Sequence, residues 1–112
     1  MHELGIMIEV VKQVEEVARE NQAEKVEKIV LQIGEISTVI PHYVEEVFPA
    51  AVNKTMLEDT QLEIEIIPAN GRCLECGKVF SLVSQKGKCT CGSEDFEELT
   101  GREFILKEIQ IS

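Results

Sequence analysis

The sequence predicts an α+β fold: two helices packed on a small three-stranded sheet, with a cysteine-bearing module inserted before the last strand. Three features point this way. Two segments repeat apolar residues at helical spacing, and three others carry strand-like apolar runs, so that one apolar layer can cover another. All four cysteines fall in one stretch between the last two strands. At 112 residues and 44% hydrophobic, the chain suits one small domain, or a small domain carrying an appendage.

The elements follow in order. Leu4, Met7, Val11, Val14 and Ala18 step along one helical face, broadened by Val10 and Val17, while Glu15, Glu16, Arg19 and Glu20 take the polar side. Asn21 sits where that helix can end. Ile29, Leu31 and Ile33 then alternate with Lys28, Val30 and Gln32, a strand closed by Gly34. Pro41 suits the first turn of a second helix, where its missing N–H is not needed. Val44, Val47, Phe48, Ala51 and Val52 form the buried face of that helix. Pro49 removes one helical hydrogen bond, to the carbonyl of Glu45, so either a kink or a start later than Pro41 is expected. Leu62, Ile64 and Ile66 alternate with Glu63 and Glu65 as a second strand, and Pro68-Ala69-Asn70-Gly71 breaks it. Phe104–Ile111 reads as a terminal strand that returns to the main sheet. The expected division is a unit of residues 1–70 plus 101–112, and an insertion of residues 71–100.

Charge separates the same two parts. Residues 1–70 hold 5 Lys/Arg against 14 Asp/Glu, whereas residues 71–112 hold 6 against 7. A formal charge of −10 with no basic stripe argues against nucleic acid, whose phosphates demand clustered cations. No apolar run is long enough to span a membrane. Met1-His2-Glu3-Leu4 lacks the cationic start of a secretory signal, so a cytoplasmic location is expected, where paired cysteines mean metal more often than disulfide.

The cysteine segment carries the most specific local signal. Cys73-Leu74-Glu75-Cys76-Gly77 is a C-x2-C knuckle, and Cys89-Thr90-Cys91 follows twelve residues later. Four thiolates suit tetrahedral Zn²⁺ and close its coordination shell, which makes a structural and not a catalytic site. With only Val79, Phe80, Leu82, Val83 and Phe96 as bulky apolar residues, the segment cannot build an adequate core unaided, and metal binding would supply the missing folding energy. The module is therefore expected to be zinc-ribbon-like. A redox dithiol, two disulfides, and unpaired core cysteines are the competing readings; no adjacent βαβ pattern and no secretory signal support them.

His2, one of two histidines, follows the chain-terminal amine directly. Its imidazole, together with neighbouring main-chain nitrogens, can enclose a metal in fused chelate rings, and square-planar nitrogen ligation suits Ni(II) or Cu(II). Taken alone, a histidine at a chain terminus is more simply a frayed surface residue.

Taken together, a start of Met1-His2-Glu3, an amphipathic helix, Ile33-Gly34-Glu35 closing the first strand, and a four-cysteine segment before a last strand resemble the HypA family of nickel metallochaperones for NiFe hydrogenase maturation. The resemblance spans essentially the whole chain. It implies a binding protein and not an enzyme: Ni(II) held through His2 with main-chain nitrogens of His2 and Glu3, structural Zn²⁺ held by Cys73, Cys76, Cys89 and Cys91, and nickel passed onward. The implied partners are the nickel-handling GTPase HypB and the hydrogenase large-subunit precursor, with self-association left open. Two departures stand out. The family pattern usually has C-x2-C at both knuckles, whereas Thr90 stands alone between Cys89 and Cys91. Some relatives also place a nickel-completing carboxylate before the second helix, where this chain has Ile40, with His42 two residues on. His42 is then either a substitute ligand or an exposed first-turn residue, and Glu35 reads as a strand-end surface group. The alternative function is a zinc-ribbon protein-interaction module with no transported metal.

Overall fold

In a computed structural model, which describes residues 2–112, Met7, Val10, Val11, Val14 and Ala18 are the apolar residues that helix α1 (His2–Glu20) buries by virtue of their spacing. Val17, expected to widen that stripe, turns to its rim and is exposed. The Val17 carbonyl accepts both the Asn21 backbone N–H at 3.1 Å and the Asn21 side-chain amide at 2.7 Å, which closes the last turn. Helix α2 (Pro41–Val52) begins at its proline and runs through Pro49, so the later start is not needed. Pro49 lies on the exposed side, where water can satisfy the carbonyl it leaves unpaired. Val44, Val47, Phe48, Ala51 and Val52 are all buried, as their spacing predicts.

These helices cover one face of a three-stranded sheet ordered β2 (Gln61–Ile67), β1 (Val26–Gly34), β6 (Phe104–Ile111). The returning terminal strand pairs antiparallel with β1, while β1 and β2 run parallel with α2 as their crossover. That is a βαβ unit, which the strand pattern alone did not announce. Ile29, Leu31 and Ile33 of the central strand are fully buried against the helices. On β6, Leu106 pairs with Leu31 but Glu108 pairs with Val30, so Lys107 is the extra residue of a bulge. The bulge resets the alternation and lets Phe104, Leu106, Ile109 and Ile111 all pack on the core, despite the three-residue gap between Leu106 and Ile109. The opposite face is a charged lattice, with Lys28 Nζ 2.7 Å from Glu63 and Lys107 Nζ 2.9 Å from Glu65.

The cysteine segment forms its own small antiparallel sheet, β3 (Asn70–Cys73) between β4 (Val79–Ser81) and β5 (Phe96–Thr100). The expected break at 68–71 is therefore shorter, since Asn70 and Gly71 already belong to β3. The core here is Ala69, Cys73, Phe80, Leu82 and Cys89, joined by half-buried Phe96, whose ring meets Phe80 edge-on at 5.8 Å. Val79 and Val83 stay exposed, so the apolar content available to this sheet is smaller than composition suggests.

The two sheets meet where β1 ends. Gly34 N–H donates to the Glu103 carbonyl at 2.7 Å, Glu35 N–H to Ile67 at 2.8 Å, and Ile36 N–H to Gly101 at 2.9 Å. The Glu35 carboxylate accepts from Ala69 N–H at 2.9 Å, and the Glu103 carboxylate from Gly101 N–H at 2.8 Å. Both strands that cross between the sheets are thus tied to one turn. A Cβ on Gly34 would overlap the Gly101 carbonyl, and one on Gly101, at φ +124°, would come within 2.6 Å of the Ala69 Cβ. Gly34→Ala or Gly101→Ala should lower unfolding free energy by about 3 kcal/mol, since neither backbone contact can relax cheaply. Denaturant titration checks this, and a change under half that size would mean the crossing is looser than described.

Candidate metal centres

Cys73 ends β3, and the chain then turns so that Cys76 comes back beside it. The turn is closed by Gly77 N–H donating to the Cys73 carbonyl at 3.0 Å and Cys73 N–H to Lys78 at 2.8 Å. Gly77 has φ +78°, a conformation that side chains rarely adopt, which is why glycine follows the second cysteine. The second hairpin is built alike, with Cys89 N–H donating to Ser93 at 2.9 Å and Gly92 N–H to Cys89 at 2.8 Å. One intervening residue, Thr90, suffices to bring both Cys89 and Cys91 to the cluster.

All four sulfurs lie within 4.8 Å of one another. Two contacts cross between the knuckles, Cys76 to Cys89 at 3.4 Å and Cys73 to Cys91 at 3.6 Å. A disulfide would need about 2.05 Å. With metal–sulfur bonds of about 2.3 Å, a tetrahedral shell has sulfur–sulfur edges of about 3.8 Å, so the quartet is close to the spacing such an ion requires. Cys73 and Cys89 are buried, Cys76 and Cys91 exposed.

The electrostatics favour a cation. The Cys76 amide donates to Cys73 Sγ at 3.4 Å and is the main contact that holds that thiol down, to about 6. The Cys91 amide lowers Cys89 likewise. Although the Ser93 amide favours ionised Cys91, the thiols of Cys73 and Cys89 outweigh it and push Cys91 up to about 12. At Cys76 the Lys78 amide is outweighed in the same way, chiefly by Cys89. Each cross-knuckle contact therefore joins a thiolate-prone sulfur to a proton-holding one, and a metal would take the place of the shared protons. The redox reading loses its context here. The βαβ unit exists, but the cysteines stand on a separate sheet beyond it, not at the N-terminus of its helix, where a thiol would be activated.

At the other end of the chain, His2 opens α1 with its imidazole exposed, and its Nε2 lies 3.8 Å from Glu3 Oε2. Glu3 is buried, only 3% exposed, which its reading as a main-chain contributor did not anticipate. An open groove of about 650 Å³ runs from His2 between α1 and β6, lined by Ile6, Glu9, Val10, Phe104 and Leu106. Met1 and the chain-terminal amine, which the sequence placed beside this site, lie outside the described residues. His42 is in the first turn of α2, exposed and 3.1 Å from Glu46 Oε1, the partner expected of a surface residue. Glu35, read as a surface group, instead clamps the crossing between the sheets. An acidic residue directly after the strand-ending glycine was the available signal, but its partner, the Ala69 amide, is distant in sequence. Among the described residues, the cysteine quartet is the one cluster of three or more metal-binding side chains. No helix there is long and apolar enough to cross a membrane.

Comparison with known proteins places these features in context. The family model described as HypA, hydrogenase/urease nickel incorporation, metallochaperone, matches residues 1–111. The hydrogenase maturation factor HypA of a Nostoc species is 40% identical over 111 residues, covering 99% of this chain and 96% of the relative. That of Aquifex aeolicus is 33% identical, covering 99% and 97%. The solution structure of the Ni metallochaperone HypA from Helicobacter pylori superposes with a TM-score of 0.67 at 27% identity, covering 99% of this chain and 97% of that one. A second solution structure of a HypA protein gives 0.72, also at 27% identity, with coverage of 100% and 97%.

Cys76→Ala, which removes an exposed ligand without opening the core, should abolish metal binding at the quartet and lower amide protection throughout β3, β4 and β5, leaving the helical circular dichroism of α1 and α2 intact. Metal analysis with hydrogen exchange checks this; undiminished metal content would mean the ligands are not these four sulfurs.

Proposed function

The chain belongs to the HypA family of hydrogenase maturation nickel metallochaperones, and from that premise we propose that it binds Ni(II) at its N-terminus through His2 and delivers it for NiFe hydrogenase maturation. Family members are metallochaperones and not catalytic enzymes, so the task is to hold a cation and let it go.

The observation that carries this reading is the position of His2, exposed as the first residue of α1. The first four N–H groups of a helix have no intrahelical acceptor, so the amides of His2 and Glu3 can become ligands without breaking a helical hydrogen bond. A deprotonated amide is also favoured at the positive end of the helix dipole. No triad of metal-binding side chains surrounds His2 among the described residues, so a chelate here draws on the main chain. Imidazole and amide nitrogens in a plane suit Ni(II) and disfavour the tetrahedral preference of zinc. Such donors must shed their protons to bind, so acid weakens loading and provides one route to release.

The quartet of Cys73, Cys76, Cys89 and Cys91 takes Zn²⁺ in the same proposal. When bound, the ion supplies a closed cross-link that gives the small sheet the stability its sparse core lacks. The division into a nickel-binding unit of residues 1–70 with 101–112 and a zinc-binding insertion of 71–100 belongs to this reading, as does a cytoplasmic location. Membership of the family implies contact with the hydrogenase maturation machinery; the nickel-handling GTPase HypB and the hydrogenase large-subunit precursor are the partners proposed. The groove beside His2 lies where an acceptor would have to approach.

His2→Ala should weaken Ni(II) binding by more than about 100-fold, because it removes a direct ligand where even supporting partners are worth 10- to 100-fold. Thermal stability and quartet metal should be unchanged. Calorimetric titration with native-terminus protein checks this. Wild-type nickel affinity in the variant would leave the chain a zinc-ribbon interaction module with no transported metal.

A further inference from the structure

Strand β2 lies at the end of its sheet, and its seven residues pair with β1 without interruption from Lys28↔Gln61 to Gly34↔Ile67. From Leu62 to Ile66 no backbone group forms a hydrogen bond beyond the sheet. Alternate N–H and C=O groups along that edge are therefore unpaired, which is the template that an added strand requires. The opposite edge is guarded differently, since β6 carries the Lys107 bulge, a device that spoils regular pairing. No proline, glycine or bulge interrupts β2.

Its side chains restrict what can dock. On the helix-facing row Ile66 is 50% exposed and Leu62 and Ile64 are only half-buried, although they stand beside the fully buried Ile29, Leu31 and Ile33. On the other row stand Glu63 and Glu65, half-exposed carboxylates. That row already satisfies carboxylates by cross-strand cations, since Lys28 reaches Glu63 and Lys107 reaches Glu65. A second copy of this chain is a poor occupant. Antiparallel β2–β2 pairing centred on Ile64 aligns the apolar rows but sets Glu63 opposite Glu65, and shifting by two residues sets Glu63 opposite Glu63 or Glu65 opposite Glu65. Directly opposed like charges destabilise a sheet, and each copy bears a formal −10.

We propose that the β2 edge is a docking edge for an extended segment of a partner protein in which cationic residues alternate with apolar ones. The partner backbone completes the free hydrogen bonds, its Lys or Arg side chains face Glu63 and Glu65, and its apolar side chains cover Ile66 and the half-exposed flanks of Leu62 and Ile64. This surface is distinct from the groove beside His2 and does not depend on nickel binding.

The test titrates the ¹⁵N-labelled, metal-loaded full chain with a capped octapeptide of alternating Lys and Val, and with its Glu–Val counterpart. The Lys–Val peptide should shift the Gln61–Ile67 amides and slow their exchange, while the Glu–Val peptide leaves them unmoved. Glu63→Gln with Glu65→Gln should weaken binding about fivefold, and raising salt from 50 to 300 mM should weaken it similarly, as screened cross-strand charges require. Glu63→Lys with Glu65→Lys should transfer the preference to the Glu–Val peptide. The proposal is overturned by equal binding of both peptides, by shifts confined to β6 or the cysteine module, or by no binding at millimolar Lys–Val peptide. Because the neutral double variant keeps the strand pattern, its result stands even if charge reversal impairs folding.

Discussion

Where β1 ends, three consecutive amides, those of Gly34, Glu35 and Ile36, donate to the carbonyls of Glu103, Ile67 and Gly101. Those acceptors lie on the only two passages of chain between the sheets, so a single turn grips the outgoing and the returning strand together. The glycines are what allow it, because their backbones meet where no Cβ could fit. The Glu35 and Glu103 carboxylates then occupy the amides of Ala69 and Gly101, which would otherwise be left without partners in a tight crossing. Everything on either side follows from this constraint. It starts β3 toward the first knuckle, and it delivers β6 to the free side of β1 with Phe104 beneath α1.

Much of the fold could be read from side-chain spacing. The stripe of α1, the face of α2 and the alternation of β1 and β2 each have one dominant period, and the structure turns those residues to the core, burying those of α2 and β1 but Leu4, Leu62 and Ile64 only in part. Val17 and Ile66 were the exceptions, since an apolar residue at the rim of a stripe or on an edge strand carries no marker of how far it is covered. The second sheet was less legible. Its strands are three to five residues long, too short to show a period, and their pairing depends on knuckle turns instead of on apolar alternation. The parallel arrangement of β1 and β2 was likewise hidden, because direction is a property of the connection and not of either strand.

The candidate site residues show the same divide. The cysteines could be identified from residue type and spacing, and the structure gathers all four despite the single residue between Cys89 and Cys91. Glu35 could not be identified as a clamp, since its partner is 34 residues away. Nor could the burial of Glu3, which depends on how the first turn of α1 is laid against the core.

On the function proposed, the chain separates two metals by donor chemistry. Four cysteine sulfurs converge in a folded knuckle pair, where a bound metal and the structure would stabilise each other. The His2 imidazole stands exposed at a helix start, where on that proposal binding would cost no internal hydrogen bond and release would leave the fold intact. The most direct test of that separation is nickel-edge X-ray absorption on untagged protein whose cysteine quartet is already filled with zinc and which is then given one equivalent of Ni(II). Separate sites predict a nickel shell of nitrogen and oxygen alone, in planar geometry, with zinc retained. Sulfur in the nickel shell, with zinc displaced, would show that nickel enters the cysteines and would contradict the account.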